Sequence, residues 1–183
     1  RVARPERALP SVVAHLGTEV ELVVLLLIDP QRATFRTHHV ANVGENRLGA
    51  VVEIKPSPGR ERETGLAVAG ALAAGWPETL PAPLIASFEP TALGAARDTA
   101  PNIHRALNVF KIPWGWRNRT KALGCRAVHC LEKNLTARQV GVLKDEGMVV
   151  RAFTVNDQTR AETLLRWGVD GVFSDSPERL LPR

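Results

Sequence analysis

The sequence predicts an α/β fold, with parallel strands in one sheet and helices packed on its faces. Three observations predict it. From residue 50 onward, short apolar runs alternate with helix-like segments at regular spacing. Two of the helix-like segments close on glycine, Gly147 and Gly168. Finally, Val51-Val52-Glu53-Ile54-Lys55-Pro56 begins as a buried strand but ends with a carboxylate and an ammonium two residues apart, on one face. Burying charge is unfavourable unless it is paired or holds an ion. The economical reading is a site at the C-terminal end of that strand.

The elements follow in order. Residues 51–55 are a strand, broken by Pro56-Ser57-Pro58-Gly59. Residues 61–74 read as a helix with glutamate early in it, which suits the helix dipole. Strand 83–88, helix 90–99 and strand 105–110 come next, and the region around Trp114-Gly115-Trp116 is less regular. Strand 126–130, helix 136–146, strand 149–155 and helix 157–167 continue the alternation, followed by strand 171–174 and a helical turn at 177–181. Before residue 50 the pattern is poorer: 7–16 reads as a helix, 21–28 as a strand, and 29–50 shows no periodicity. That makes seven strands, and no linker marks a second domain.

A chain of 183 residues, 44% hydrophobic and 23% charged, suits one globular domain with a real core. It is short for a (β/α)8 barrel, which usually needs about 250 residues. The net charge of +5 comes from scattered arginines, and there is no tyrosine. Anionic ligands are weakly favoured, and a nucleic-acid partner is not expected. Cys125 and Cys130 lie five apart on one predicted strand, so they should face opposite ways and form no mutual disulfide. This cysteine usage suggests a reducing compartment or no redox role, no secretory signal is present, and a cytoplasmic setting is expected. The longest apolar run, residues 22–28, is far short of the roughly 20 residues a membrane span needs. No membrane-docking segment is evident either, and nothing indicates an oligomeric state. The first residue is Arg, which reads as a start inside a longer protein.

Several residues can carry chemistry. Glu53 is a hard oxygen ligand suited to Mg²⁺ or Ca²⁺, and Lys55 is a point charge suited to phosphate. A solvent-facing salt bridge is the plainer alternative. Asn156 and Asp157 sit where a strand meets a helix, as site residues or as a helix N-cap. Asp175, before Ser176-Pro177, is equally ambiguous. His129 points either into a ligand site or into a satisfied, half-buried position. Phe88 is a pocket wall or a core residue. His38 and His39 form a doublet with no partner at metal spacing. Of the four tryptophans, only Trp114 and Trp116 lie where a ligand role is plausible. There is no phosphate-cradling glycine loop, nucleophile elbow or zinc-spaced cysteine cluster.

In their order, VVEIKPSPGRERETG, PLIASFEPTALGAAR, GCRAVHC, RAFTVND and RAETLLRWGVDGVFSD are similar to the glycerophosphodiester phosphodiesterases, especially the bacterial cytosolic type. The match is strong over residues 51–183 and only in outline over 1–50, within one domain spanning 1–183. The resemblance implies a TIM-type (β/α)8 barrel, here incomplete, with about seven strands and the first missing. It implies metal-assisted hydrolysis of a small-molecule glycerophosphodiester to glycerol 3-phosphate and an alcohol, with Mg²⁺ or Ca²⁺. Glu53 would be a metal ligand and Lys55 the phosphate contact, with Phe88 and Asn156 near the substrate. Glu21 takes the first metal-ligand position, but Val23 stands where the family has an aspartate ligand. The family's first catalytic histidine would lie upstream of residue 1. Its second aligns only roughly, with His38 or His39. The alternative these departures imply is a catalytically impaired remnant that binds anionic ligands or a protein partner.

Overall fold

In a computed structural model the described residues are 12–14, 50–78, 80–176 and 179–180. They build one seven-stranded sheet. The strands are β1 (Val12–Ala14), β2 (Val51–Glu53), β3 (Leu84–Ser87), β4 (His104–Val109), β5 (Cys125–Leu131), β6 (Val149–Phe153) and β7 (Gly171–Ser174). They lie in the order β1-β7-β6-β5-β4-β3-β2. The run from β2 to β7 is parallel throughout, and β1 closes the β7 edge antiparallel. Helices α1 (Glu61–Gly75), α2 (Pro90–Thr99), α3 (Trp116–Leu123), α4 (Ala137–Asp145) and α5 (Gln158–Arg166) occupy connections between parallel strands. This is an incomplete (β/α)8-type barrel.

Three expectations need correction. In the segment read as a helix over 7–16, Val12–Ala14 is a strand paired with β7. Two adjacent β-branched valines favour extended backbone, and the open edge of β7 supplies the ladder. The region after Trp114 is a helix, α3, with Trp116, Thr120 and Leu123 buried at helical spacing. Its apolar stripe is thin and one member is threonine, so periodicity hid it. The two cysteines do not face opposite ways: both belong to the same core layer. The β4–β5 register slips between Arg105 and Ala106, and this irregularity inserts one residue on β5 and reverses the side-chain count. Both thiols are buried and free, and burial raises them to about 12 for Cys125 and about 11 for Cys130. The strand expected over 21–28 lies outside the described residues.

The sheet separates two apolar layers. Val52, Ile85, Leu107, Val128, Val150 and Val172 pack against helix residues such as Leu72, Leu93 and Leu164. On the opposite, concave side, Val51, Ala86, Ala106, Ala127 and Phe173 form a smaller cluster without helix residues. Alanines dominate it because strands crowd there and leave little room. Serines at strand ends fix the next loop. Ser87 Oγ donates to the Ile54 carbonyl at 2.7 Å and accepts from the Glu89 N–H at 3.0 Å. At the opposite pole, buried Arg105 donates to the carbonyls of Ile103 (2.6 Å) and Leu123 (3.1 Å), tying β4 to the end of α3.

Helices α1 and α2 meet closely at Gly65, where an added Cβ would lie 2.4 Å from the Ala92 carbonyl oxygen. Gly141 in α4 has nothing within 4 Å of an added Cβ. Gly65→Ala should therefore destabilise the fold by about 1–3 kcal/mol through overpacking. Gly141→Ala should stabilise it by up to about 1 kcal/mol through helix propensity. Urea unfolding of both variants checks this, and a Gly65→Ala protein at least as stable as the parent would contradict the packing described.

Candidate active site

Side chains alternate along a strand, so Val52 and Ile54 face the helices while Val51, Glu53 and Lys55 face the concave side. A cavity of about 190 Å³ opens there, at the C-terminal ends of the parallel strands. Its polar lining comes from Glu53, Lys55, Asn108, His129 and Thr154, and Phe88, Phe153 and Phe173 form an aromatic wall. In barrels of this type the C-terminal mouth is where function sits. A second cavity of about 360 Å³ lies at the opposite pole, beside His104, Arg126 and Arg151, and has no carboxylate in its lining.

Glu53 is only 7% exposed. Its contacts are long: Asn108 Nδ2 donates to Oε1 at 3.4 Å, and Lys55 Nζ lies 3.4 Å from Oε2. Both carboxylate oxygens therefore keep lone-pair capacity directed at the cavity. Lys55 is more than half exposed, a mobile cation at the rim. The salt bridge read as the plainer alternative is present, but it joins a buried acid to a rim cation beside a cavity.

Asn108 and His129 stand side by side on β4 and β5. Asn108 Oδ1 and His129 Nε2 are buried without hydrogen-bond partners among the described residues. Two buried polar atoms without partners, in residues that line one cavity, are unusual in a folded interior. Burial, reinforced by the Arg151 guanidinium, holds the His129 imidazole well below its ordinary value, so it is neutral at physiological pH. Phe173 packs edge-on against it, with centroids 4.9 Å apart.

Phe88 lines the cavity and stacks on Phe110 (4.7 Å) while meeting Phe153 edge-on (5.7 Å). Asn156 is exposed and does not line the cavity. Its Oδ1 accepts from Ser174 Oγ and from the Asp175 N–H, both at 2.9 Å, which clasps the end of β6 to the end of β7. Asp157, not Asn156, caps α5 by accepting from the Arg160 N–H at 2.7 Å. Asp175 sits in the same clasp, with Asn156 Nδ2 donating to it at 3.5 Å. Trp116 is core and Trp114 is exposed. Glu21, His38 and His39 lie outside the described residues. Sequence reasoning missed Asn108, Phe153, Thr154 and Phe173. An amide inside the apolar strand ALNVF was the available signal for the first.

Among the described residues no group of three or more His, Cys, Asp or Glu is placed to hold a metal. Glu53 is the carboxylate in the cavity lining, and its contacts are long. As a hard oxygen donor with open lone pairs, it fits one position around a divalent cation.

The fold and this mouth define a (β/α)-barrel protein with an acid, a cation, an amide and an imidazole lining one cavity. The model of the glycerophosphoryl diester phosphodiesterase family matches residues 13–179, and the chain belongs to that family. A curated glycerophosphodiester phosphodiesterase of Bacillus altitudinis is 29% identical over 98 residues, covering 52% of this chain and 40% of that protein. A solved phosphodiesterase of Oleispira antarctica, in complex with the product sn-glycerol-3-phosphate, is 36% identical with a TM-score of 0.71. That match covers 77% of this chain and 57% of the other. A glycerophosphodiester phosphodiesterase of Parabacteroides distasonis shares the fold at 21% identity and a TM-score of 0.59, over 74% of this chain and 56% of its own. This chain therefore spans well under two thirds of the length of these relatives.

Because His129 is held neutral, the unfolded chain binds its proton at higher pH than the folded one. Its contribution to stability should be complete above about pH 6.5 and lost as pH falls below that value, at up to about 1.4 kcal/mol per pH unit. Urea unfolding between pH 8 and 5 should show this slope in the parent protein and not in His129→Gln. Parallel pH profiles would contradict a buried neutral imidazole.

Proposed function

We propose that this domain hydrolyses glycerophosphodiesters to glycerol 3-phosphate and an alcohol, with a divalent cation, Mg²⁺ or Ca²⁺. The observation that carries the reading is Glu53: a carboxylate taken out of water, half-satisfied, beside a rim lysine and two unsatisfied polar groups. The Oleispira relative, held with glycerol 3-phosphate, supports the product. In this reading Glu53 and Glu21 hold the cation, which neutralises charge on the phosphoryl group when bound. Lys55 holds a phosphate oxygen by charge. Asn108 Oδ1 accepts from a glycerol hydroxyl, and neutral His129 satisfies a second one, as acceptor or donor according to its tautomer. Phe88 and Phe153 keep water off the apolar edge of the substrate. His38 or His39 supplies a proton-transfer group, a role worth roughly 10²–10⁴-fold. Asn156 orients the rim loop near the substrate. The two free thiols fit a cytoplasmic, reducing setting.

A second reading is favoured by one observation. Among the described residues Glu53 has no companion metal ligands, and Val23 stands at a position where the family has an acid. The domain would then bind glycerol 3-phosphate or a related anion without turnover.

Release of glycerol 3-phosphate from glycerophosphocholine, with added Mg²⁺ or Ca²⁺, tests both. The parent protein should turn over, chelation should abolish the rate, and Glu53→Gln should lower it at least about 100-fold. Equal rates in parent and Glu53→Gln would remove Glu53 from the mechanism. Calorimetric binding of glycerol 3-phosphate without turnover would select the second reading.

A further inference from the structure

The loop between β4 and α3 carries two large apolar side chains into solvent. Trp114 is fully exposed and Phe110 is 63% exposed. No other large hydrophobic is exposed to this degree among the described residues. Both lie in the loop that leaves the C-terminal end of β4, and Phe110 stacks on Phe88, which lines the cavity. The loop is anchored at its base. Asn134 Nδ2 donates to the Phe110 carbonyl at 2.7 Å, and Trp116 is buried in the core. A tethered loop that presents tryptophan outward has not simply failed to fold it in.

The loop and the helix it leads into carry basic residues and no acid. No Asp or Glu occurs between Asp98 and Glu132, whereas Lys111, Arg117, Arg119 and Lys121 all fall in that interval. All four are exposed. Arg117 is engaged by Glu146 at 2.7 Å and covers the Trp116 ring. Lys133, exposed on the neighbouring turn beside Asn134, adds to the same side of the mouth. Acids also line the rim: Asp157 and Asp175 stand at the β6 and β7 ends, while Glu89 follows Phe88 at the end of β3, next to β4.

We infer that the Phe110–Trp114 loop docks the mouth of this domain on an anionic phospholipid surface. Tryptophan and phenylalanine enter the headgroup layer, and Lys111, Arg119 and Lys133 meet the acidic lipids. Tryptophan favours this interface because its body is apolar and its N–H is polar. Basic residues next to it gain from the negative surface potential, in a salt-dependent way. The sequence hid this device because isolated aromatics in an irregular stretch read as core or rim. Charge complementarity selects a lipid surface over a second copy of this chain, whose net charge is also positive.

Vesicle co-sedimentation of the full chain tests it without requiring turnover, so its outcome is independent of the phosphodiesterase reading. Vesicles of phosphatidylcholine with phosphatidylglycerol should bind the protein, and pure phosphatidylcholine should bind far less. Trp114→Ser should weaken binding at least about fivefold. The pair Lys111→Glu and Arg119→Glu should weaken it at least about fivefold and remove most of its salt dependence. Circular dichroism confirms that these surface variants remain folded. Absence of binding to the anionic vesicles would overturn the proposal, as would equal binding by Trp114→Ser. A concentration-dependent dimer in sedimentation velocity, lost in Trp114→Ser, would assign the loop to self-association and overturn it too.

Discussion

The site depends on a strand that changes character along its length. Val51-Val52 belongs to a sheet buried on both faces, and two residues later the same strand presents an acid to its concave side. A carboxylate nine-tenths out of water normally needs short, charge-assisted hydrogen bonds. Glu53 has two contacts at 3.4 Å instead. Parallel pairing with β3 and the bond from the Ile54 N–H to the Ala86 carbonyl fix the backbone there and set which face the side chain leaves from. The fold therefore holds an acid at the cavity with hydrogen-bonding capacity to spare.

The rest of the molecule holds that arrangement. Small residues on the concave face let the strands curve and leave space at their C-terminal ends. Ser87 and the Asn156–Ser174 clasp fix the loops that frame the mouth. The aromatic wall of Phe88, Phe153 and Phe173 lowers the local polarity opposite Glu53 and Lys55, which strengthens any charge interaction made between them. Asn108 links the parts, since its amide N–H reaches Glu53 while its oxygen is left for something else.

Much of the fold was legible because two periods govern it. Alternation of apolar runs with helical segments gave six strands after residue 50 and most helix boundaries to within a residue or two. Glu53, Lys55, Phe88 and His129 were legible as polar or bulky residues near strand ends, and they do meet in one cavity. Asn156 was ambiguous for a physical reason: strand-to-helix junctions need polar caps and clasps whether or not they bind anything. The cysteine faces could not be counted because a bulge adds a residue that no local signal announces. Helix α3 was lost because its burial relies on Trp116, Thr120 and Leu123, a stripe too narrow to stand out. Asn108 was lost because one amide in an apolar strand looks like noise until its cross-strand neighbours are known.

The central claim is that this mouth, and not the cationic opposite pole, receives a phosphate-bearing ligand. The direct measurement is NMR chemical-shift mapping of the full chain titrated with glycerol 3-phosphate, with and without Mg²⁺. The account predicts that the largest shifts fall on Lys55, Phe88, Asn108 and His129, and that they grow when the cation is present. Shifts centred on His104, Arg126 and Arg151, with the mouth residues unmoved, would contradict it.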